Sequence, residues 1–274
     1  MSAKKGWNVI SKSYQRKTRI SLDDVHYGPI SAGERELRLL GNVKGQDVLE
    51  VGCGGGQNSI VLGKWGARSV GLDISEEQIK HARRLARKEG VKVPFHVGNM
   101  EDLGVFKAES FDIVLSSFAI EYADDFDAVF REVFRVLRKT GLFVFAMVHP
   151  IIGRGRPLRR GKRRVWAVSN YFDRRKRVWK WKAEEDVAEF RGRQVTIQDY
   201  FDLLAKAGFI VERVLEPEPY PVDRMSEAEL SNIPYLEAGY LKDYELWRKV
   251  PYTIIFKTRK ALTVPHVSIQ VWNG

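Results

Sequence analysis

Residues 49 to 57 read Leu-Glu-Val-Gly-Cys-Gly-Gly-Gly-Gln, with four glycines in five positions directly after an apolar run. An apolar run that ends in a glycine cluster and resumes as a helix reads as strand, tight loop and helix. That is the first half of a crossover, and it sets the next strand parallel to the first. Such a loop places backbone N–H groups and a helix N-terminus at the carboxyl end of the strand, where open α/β sheets bind their ligands.

The rest of the chain repeats the alternation. Asp47–Val51, Ser69–Asp73, Val93–Val97, Phe111–Leu115 and Leu142–Val148 read as strands. Helices are expected over Gln57–Trp65, from Ser75 to Gly90, and over Phe126–Leu137. Ser75-x-x-Gln78 has the spacing of a reciprocal capping box, and Ile79, Ala82, Leu85 and Ala86 make an apolar stripe behind it. The pattern resumes with a helix over Thr196–Ala207 and strands at Gly208–Glu212 and Tyr252–Phe256. A chain of 274 residues can bury one large core, or one core with a smaller subdomain. The expected divisions are an N-terminal helical cap at 1–44, a core at 45–150, an insertion at 151–195, the rest of the core at 196–260 and a tail at 261–274.

The glycine spacing decides between ligands. Gly52, Gly54 and Gly56 form G-x-G-x-G with Gln57 following, not the G-x-G-x-x-G of a dinucleotide loop, and no Gly-Lys-Ser/Thr follows as in a phosphate loop. Asp73 ends the second strand, where an acid can accept both hydroxyls of a ribose. A nucleoside carrying an amino-acid tail satisfies both features, with its carboxylate on the helix N-terminus and its ribose on Asp73. Cys53, the single cysteine, excludes an intrachain disulfide and reads as a small residue in a crowded loop; no metal site is expected.

At this point the chain resembles the class I S-adenosylmethionine-dependent methyltransferases, in the branch related to quinone C-methyltransferases. The resemblance rests on V-L-E-V-G-C-G-G-G-Q (48–57), V-G-L-D-I-S (70–75), G-N-M-E-D-L (98–103), S-F-D-I-V-L-S-S (110–117) and R-V-L-R-K-T-G-L-F-V-F (135–145), and more loosely on A-G-F-I-V-E-R-V-L-E-P (207–217). It implies an α/β fold: a Rossmann-like, doubly wound, mostly parallel seven-stranded sheet, with N-terminal helices and a cap insertion after the fifth strand. It implies S-adenosylmethionine as cofactor. Gly52, Gly54, Gly56 and Gln57 would then lie against the methionine part, Asp73 on the ribose with Ile74 against the adenine, and Asn99 and Met100 in the adenine pocket. Many relatives have Asp where this chain has Asn99. Ser117 and Phe118 would flank the sulfonium end, with Tyr14 and the His26-Tyr27-Gly28 stretch closing the site. His149, after the fifth strand, is a place for a base, with Glu121 and Tyr122 as rivals.

Charge bears on the acceptor. The chain has 46 Lys+Arg and 35 Asp+Glu, for a net charge of +11. Residues 153–182 hold 13 of those cations and one acid, Asp173, which leaves the remainder at 33 against 34. The resemblance makes this insertion a lid, with Trp166, Tyr171, Phe172, Trp179 and Trp181 available to line an acceptor pocket. V-W-A-V and V-W-K-W alternate as hairpin strands do. The basic segment is compatible with a solvated hairpin, with a small anionic acceptor, or with RNA held through its phosphates and by base stacking. Ser116-Ser117-Phe118-Ala119 is unlike the N-P-P-Y pattern used on the amino groups of nucleobases. The expected function is methyl transfer to a small anionic molecule, with RNA methylation or RNA binding as the alternative. No apolar run approaches the ~20 residues that span a bilayer, and no secretory leader is evident, so the expected location is cytoplasmic.

Overall fold

The structure is a computed structural model that describes residues 2–230, 233, 235 and 243–262. It begins with α1 (Ala3–Thr18), a single turn α2 (Glu34–Leu37), β1 (Asp47–Val51), α3 (Gln57–Lys64), β2 (Arg68–Asp73), α4 (Glu76–Lys88) and β3 (Phe95–Val97). There follow β4 (Phe111–Ser117), α5 (Phe126–Val136), β5 (Leu137–Val148) and a one-turn α6 (Pro150–Gly153). Two hairpins come next, β6 (Gly155–Arg160) with β7 (Arg163–Val168) and β8 (Lys176–Ala183) with β9 (Asp186–Arg193). The chain continues through α7 (Ile197–Ala207), β10 (Phe209–Leu215), the short α8 (Glu227–Leu230) and α9 (Tyr244–Trp247), and β11 (Thr253–Lys260). The sheet order is β10-β11-β5-β4-β1-β2-β3, with β11 antiparallel to both neighbours and the other pairs parallel. This is the mostly parallel seven-stranded sheet expected from the sequence. Residues 263–274 of the tail lie outside the described residues.

Side-chain alternation builds the layers. Phe143, Phe145 and Met147 of β5 point to one face and Leu142, Val144 and Ala146 to the other. The first face carries α5 and α7, through Val129, Phe130, Val133 and Leu204. The second carries α3 and the N-terminal segment, through Val61, Leu62, Leu39 and Leu40. Each fully buried Phe or Leu contributes about 2–3 kcal/mol, so these strands are apolar on both faces because both are covered. Strand order reverses between β1 and β4, which flank each other at the centre. The crevice at the carboxyl ends of those two strands is therefore the switch point at which such sheets take ligands.

Several local expectations change in the structure. The helices of the first 44 residues are one long helix and a single turn. The turn is closed by the buried Glu34 carboxylate, which accepts from the N–H groups of Leu39 and Leu40 at 2.9 and 2.8 Å and from Tyr27 Oη at 2.6 Å. Those bonds satisfy backbone that a longer helix would have satisfied itself. β5 starts at Leu137, which pairs with Phe111 before a bulge where Thr140 takes φ 61°. The capping box at α4 is one-sided. Ser75 Oγ accepts from Gln78 N at 3.2 Å, but Gln78 Oε1 is taken by Gln15 Nε2 at 2.8 Å. A side chain from α1 has replaced the local partner. Among the described residues no helix is long and apolar enough to cross a membrane.

Candidate functional site

The glycines of the loop after β1 have different reasons to be glycine. Gly52 has φ +71°, and a Cβ there would lie 2.2 Å from Ala119 Cβ, so only glycine lets the loop pass the end of β4. Gly54 has φ +51° and nothing within 4 Å of a would-be Cβ, so it borders open space. Gly56 packs on Phe95 and Ala82 and faces away from that space. Asp73 ties the loop to the end of β2. Its Oδ2 accepts from Gly54 N at 2.9 Å and its Oδ1 from Ser75 N at 2.8 Å. Burial pushes its carboxyl up to about 6, against the pull of those two N–H groups. Each oxygen keeps a lone pair for a further donor.

A pocket of about 150 Å³ opens beside the loop. Gly52, Gly54, Asp73, Ile74, Asn99, Met100, Phe118 and Tyr14 all line it, as expected from the sequence. Asn99 Oδ1 accepts from Glu101 N at 3.1 Å, which turns its amide nitrogen to the other side. The remaining expected residues stand behind this wall. Ser117 Oγ donates to the His26 carbonyl at 2.9 Å, and Gln57 Nε2 donates to Gln15 Oε1 at 2.5 Å. Tyr27 is a correction: it is fully buried in the core with its hydroxyl on Glu34, because the following Gly28 lets the chain press onto the Phe118 ring and turns Tyr27 inward. His26 is also internal. Its Nδ1 is 2.7 Å from Asn58 Oδ1, and burial lowers its pKa to about 4.

A second cavity, of about 360 Å³, lies between the end of β5 and the two hairpins. Trp166, Trp179 and Trp181 line it. Tyr171 instead stands outside with its ring 5.9 Å from the Arg154 guanidinium, and Phe172 is 74% exposed. Trp7, Tyr14, Phe118 and Tyr122 line both cavities, so the two meet at an aromatic seam. Trp7 is 5.1 Å from both Tyr14 and Tyr122.

Three ionisable groups on this second wall differ sharply. His149 is buried, with Nδ1 accepting from Ile151 N at 3.1 Å and Nε2 2.8 Å from Glu216 Oε1. Burial lowers its pKa, so the ring is neutral and its Nε2–H donates to Glu216, which leaves no lone pair for a reactant. Glu121 is half-buried as a residue, but its Oε2 is sealed from solvent and has no partner. Burial pushes its carboxyl up to about 7 against the N–H groups of Glu121 and Val148. Arg154 is 8% exposed and donates Nη1 to the Tyr171 carbonyl at 2.7 Å, while Nε and Nη2 are buried without a partner.

Sequence reasoning did not single out Trp7, Arg154 or Glu50. Trp7 carries no local signal. Arg154 sits in a run of cations whose other members are all exposed. Glu50 lies beneath the glycine loop at 2% exposure and accepts from Ser59 N at 2.9 Å and from Ser59 Oγ at 2.5 Å. Burial pushes its carboxyl up to about 8. An acid inside an otherwise apolar strand was the available signal.

Known proteins agree with this geometry. Residues 49–145 match the family described as a methyltransferase domain. The chain is 36% identical over 110 residues to an uncharacterized methyltransferase of Bacillus subtilis, across 40% of this chain and 43% of that protein. It is 32% identical over 111 residues to a ubiquinone biosynthesis O-methyltransferase of Bordetella avium, across 40% of this chain and 46% of that one. The chain spans about half the length of the curated relatives it matches. Among solved structures, a Listeria monocytogenes protein assigned as an S-adenosylmethionine-dependent methyltransferase superposes with TM-score 0.63 at 25% identity, across 82% of this chain and 94% of that one. Residues 49–145 are thus a methyltransferase domain, and the fold is that of the S-adenosylmethionine-dependent methyltransferases.

Proposed function

We propose that this chain transfers the methyl group of S-adenosylmethionine to a small anionic molecule held in the larger cavity. One observation carries the reading: the glycine-loop pocket and the hairpin-covered cavity meet at Trp7, Tyr14, Phe118 and Tyr122. A cofactor site and an acceptor site must open onto each other for direct transfer, and the aromatic faces where these two cavities meet would exclude water and suit the positive charge of a sulfonium.

The residues fit the cofactor. The open space beside Gly54 is a cradle that any side chain would fill, and the Asp73 oxygens can each accept one ribose hydroxyl. Ile74 and Met100 offer apolar surface to an adenine, and the Asn99 amide nitrogen offers a donor to its edge. When bound, S-adenosylmethionine supplies an electrophilic methyl group that leaves by in-line displacement. The protein then has to align the acceptor, keep water out and take up any proton the acceptor releases.

Calorimetry tests the cofactor half. S-adenosylhomocysteine is expected to bind, NAD is not, and Asp73→Ala is expected to weaken S-adenosylhomocysteine by tenfold or more. Tight NAD binding, or a folded protein that ignores S-adenosylhomocysteine, overturns the reading. Transfer from methyl-labelled S-adenosylmethionine in a cell extract tests the acceptor half. Label is expected in the small-molecule fraction; RNase-sensitive label would assign the basic hairpins to RNA instead.

A further inference from the structure

The larger cavity is lined by two ionisable side chains that each keep buried polar atoms without a partner. Arg154 keeps Nε and Nη2 without a partner. Its nearest acids are engaged elsewhere: Asp199 accepts from Arg174 at 2.9 Å and Asp173 from Arg175 at 2.6 Å. A buried N–H without an acceptor destabilises the fold, so this guanidinium is held ready for an oxyanion that the chain does not supply. A planar guanidinium with two free donors suits a carboxylate. On the same wall, Glu121 Oε2 is sealed and unpartnered. Glu121, Arg154 and the Tyr200 ring line this one cavity. Trp166, Trp179, Trp181 and Tyr252 give the wall flat aromatic faces, beside the cations Arg177 and Arg193, and a volume of about 360 Å³ is of the size that holds a small organic ligand.

We propose that the acceptor is an aromatic hydroxy acid, with its carboxylate bound by Arg154, its ring between the tryptophans and its hydroxyl proton taken by Glu121. This rests on the methyltransferase reading above and names its substrate class. The acceptor O–H bond breaks and the proton passes to the Glu121 carboxylate. The hydroxyl oxygen forms the new O–CH₃ bond, while the S–CH₃ bond breaks and its electron pair stays on sulfur, leaving a neutral thioether. Burial holds the Glu121 carboxyl at about 7, where a base is half-ionised near neutrality. The other cations of the 153–182 segment are exposed on the hairpins, Arg177 among them at the cavity wall, and the one that is buried is Arg154.

The test uses 4-hydroxybenzoate, 3-hydroxybenzoate and 4-hydroxyphenylacetate as probes, with phenol as the control that lacks the acid. Tryptophan quenching reads binding in the presence of S-adenosylhomocysteine, and calorimetry on the same samples reads S-adenosylhomocysteine itself. At least one acid is expected to bind tenfold or more tightly than phenol. Arg154→Gln is expected to remove that advantage, leaving phenol and S-adenosylhomocysteine unchanged. Glu121→Gln is expected to leave acid binding within about threefold and to lower methyl transfer to the bound acid by a hundredfold or more. Loss of S-adenosylhomocysteine binding in the parent protein would sink the methyltransferase reading. Intact S-adenosylhomocysteine binding with no acid bound, with phenol bound as well as the acids, or with Arg154→Gln indifferent, would sink this proposal alone. A Glu121→Gln enzyme that transfers methyl at the parent rate would remove Glu121 as the proton acceptor.

Discussion

Glu50 makes stability fall as pH rises, the reverse of an ordinary carboxylate. Its carboxyl titrates near 4.5 when unfolded and at about 8 in the fold, with burial as the main cause and the Ser59 and Asn58 bonds opposing it. The folded protein therefore binds more protons than the unfolded chain between those values. That contribution is fully favourable below pH 4.5 and is lost progressively as pH climbs to about 8. At about 1.4 kcal/mol per pH unit inside the window, this one group removes roughly 2.5 kcal/mol between pH 6 and pH 9. Asp73 at about 6 and Glu121 at about 7 act in the same direction over narrower windows. Glu50→Gln keeps an oxygen to accept from Ser59 and removes the titration. Urea unfolding at pH 6 and pH 9 is expected to show a fall in stability that is ~2.5 kcal/mol smaller in Glu50→Gln than in the parent. Equal falls in the two proteins would mean that Glu50 ionises in the fold without penalty, and would refute the idea of a neutral acid under the glycine loop.

Three further substitutions separate architecture from binding. Gly54→Ala has to adopt φ +51° but meets open space, so it is expected to cost only about 1–2 kcal/mol of stability while blocking S-adenosylhomocysteine; Gly52→Ala, whose Cβ would lie 2.2 Å from Ala119 Cβ, is expected to unfold at a clearly lower temperature than Gly54→Ala. Tyr27→Phe deletes the 2.6 Å bond to the buried Glu34 and is expected to cost about 1–3 kcal/mol without changing S-adenosylhomocysteine affinity, read by thermal melting and calorimetry.

What the sequence made legible is what depends on neighbours along the chain. The strands of the sheet alternate visibly, and Gly52, Gly54 and Asp73 sit at spacings that only a ligand loop explains. Less legible is whatever depends on partners far away. Gln78 has the right spacing for a capping box, yet Gln15, 63 residues earlier, takes its side chain. Tyr27 is next to residues that support the site but turns into the core, because the phenol finds Glu34 there. His149 occupies the expected place for a base, but Ile151 and Glu216 use both of its nitrogens. Arg154 has the same chemistry as its basic neighbours in the sequence and differs only in being buried.

The geometry of α1 joins the two cavities. Trp7 and Tyr14 are seven residues apart, close to two helical turns, so both rings project from the same face. The next residue, Gln15, donates to Gln78 and accepts from Gln57, which pins that end of the helix on the glycine loop and α4. On another side Ser13 Oγ donates to Asp186 Oδ2 at 2.7 Å, and Gly6 lies so close to Phe190 that a Cβ would sit 2.7 Å from its ring. Those contacts pin the helix on the hairpin that covers the acceptor cavity. One helix thus spans from the cofactor loop to the acceptor lid and carries two of the four rings of the seam. On the proposed reading, α1 is the element that would link closure over the cofactor to cover of the acceptor, because it contacts both the glycine-loop side and the β8–β9 hairpin.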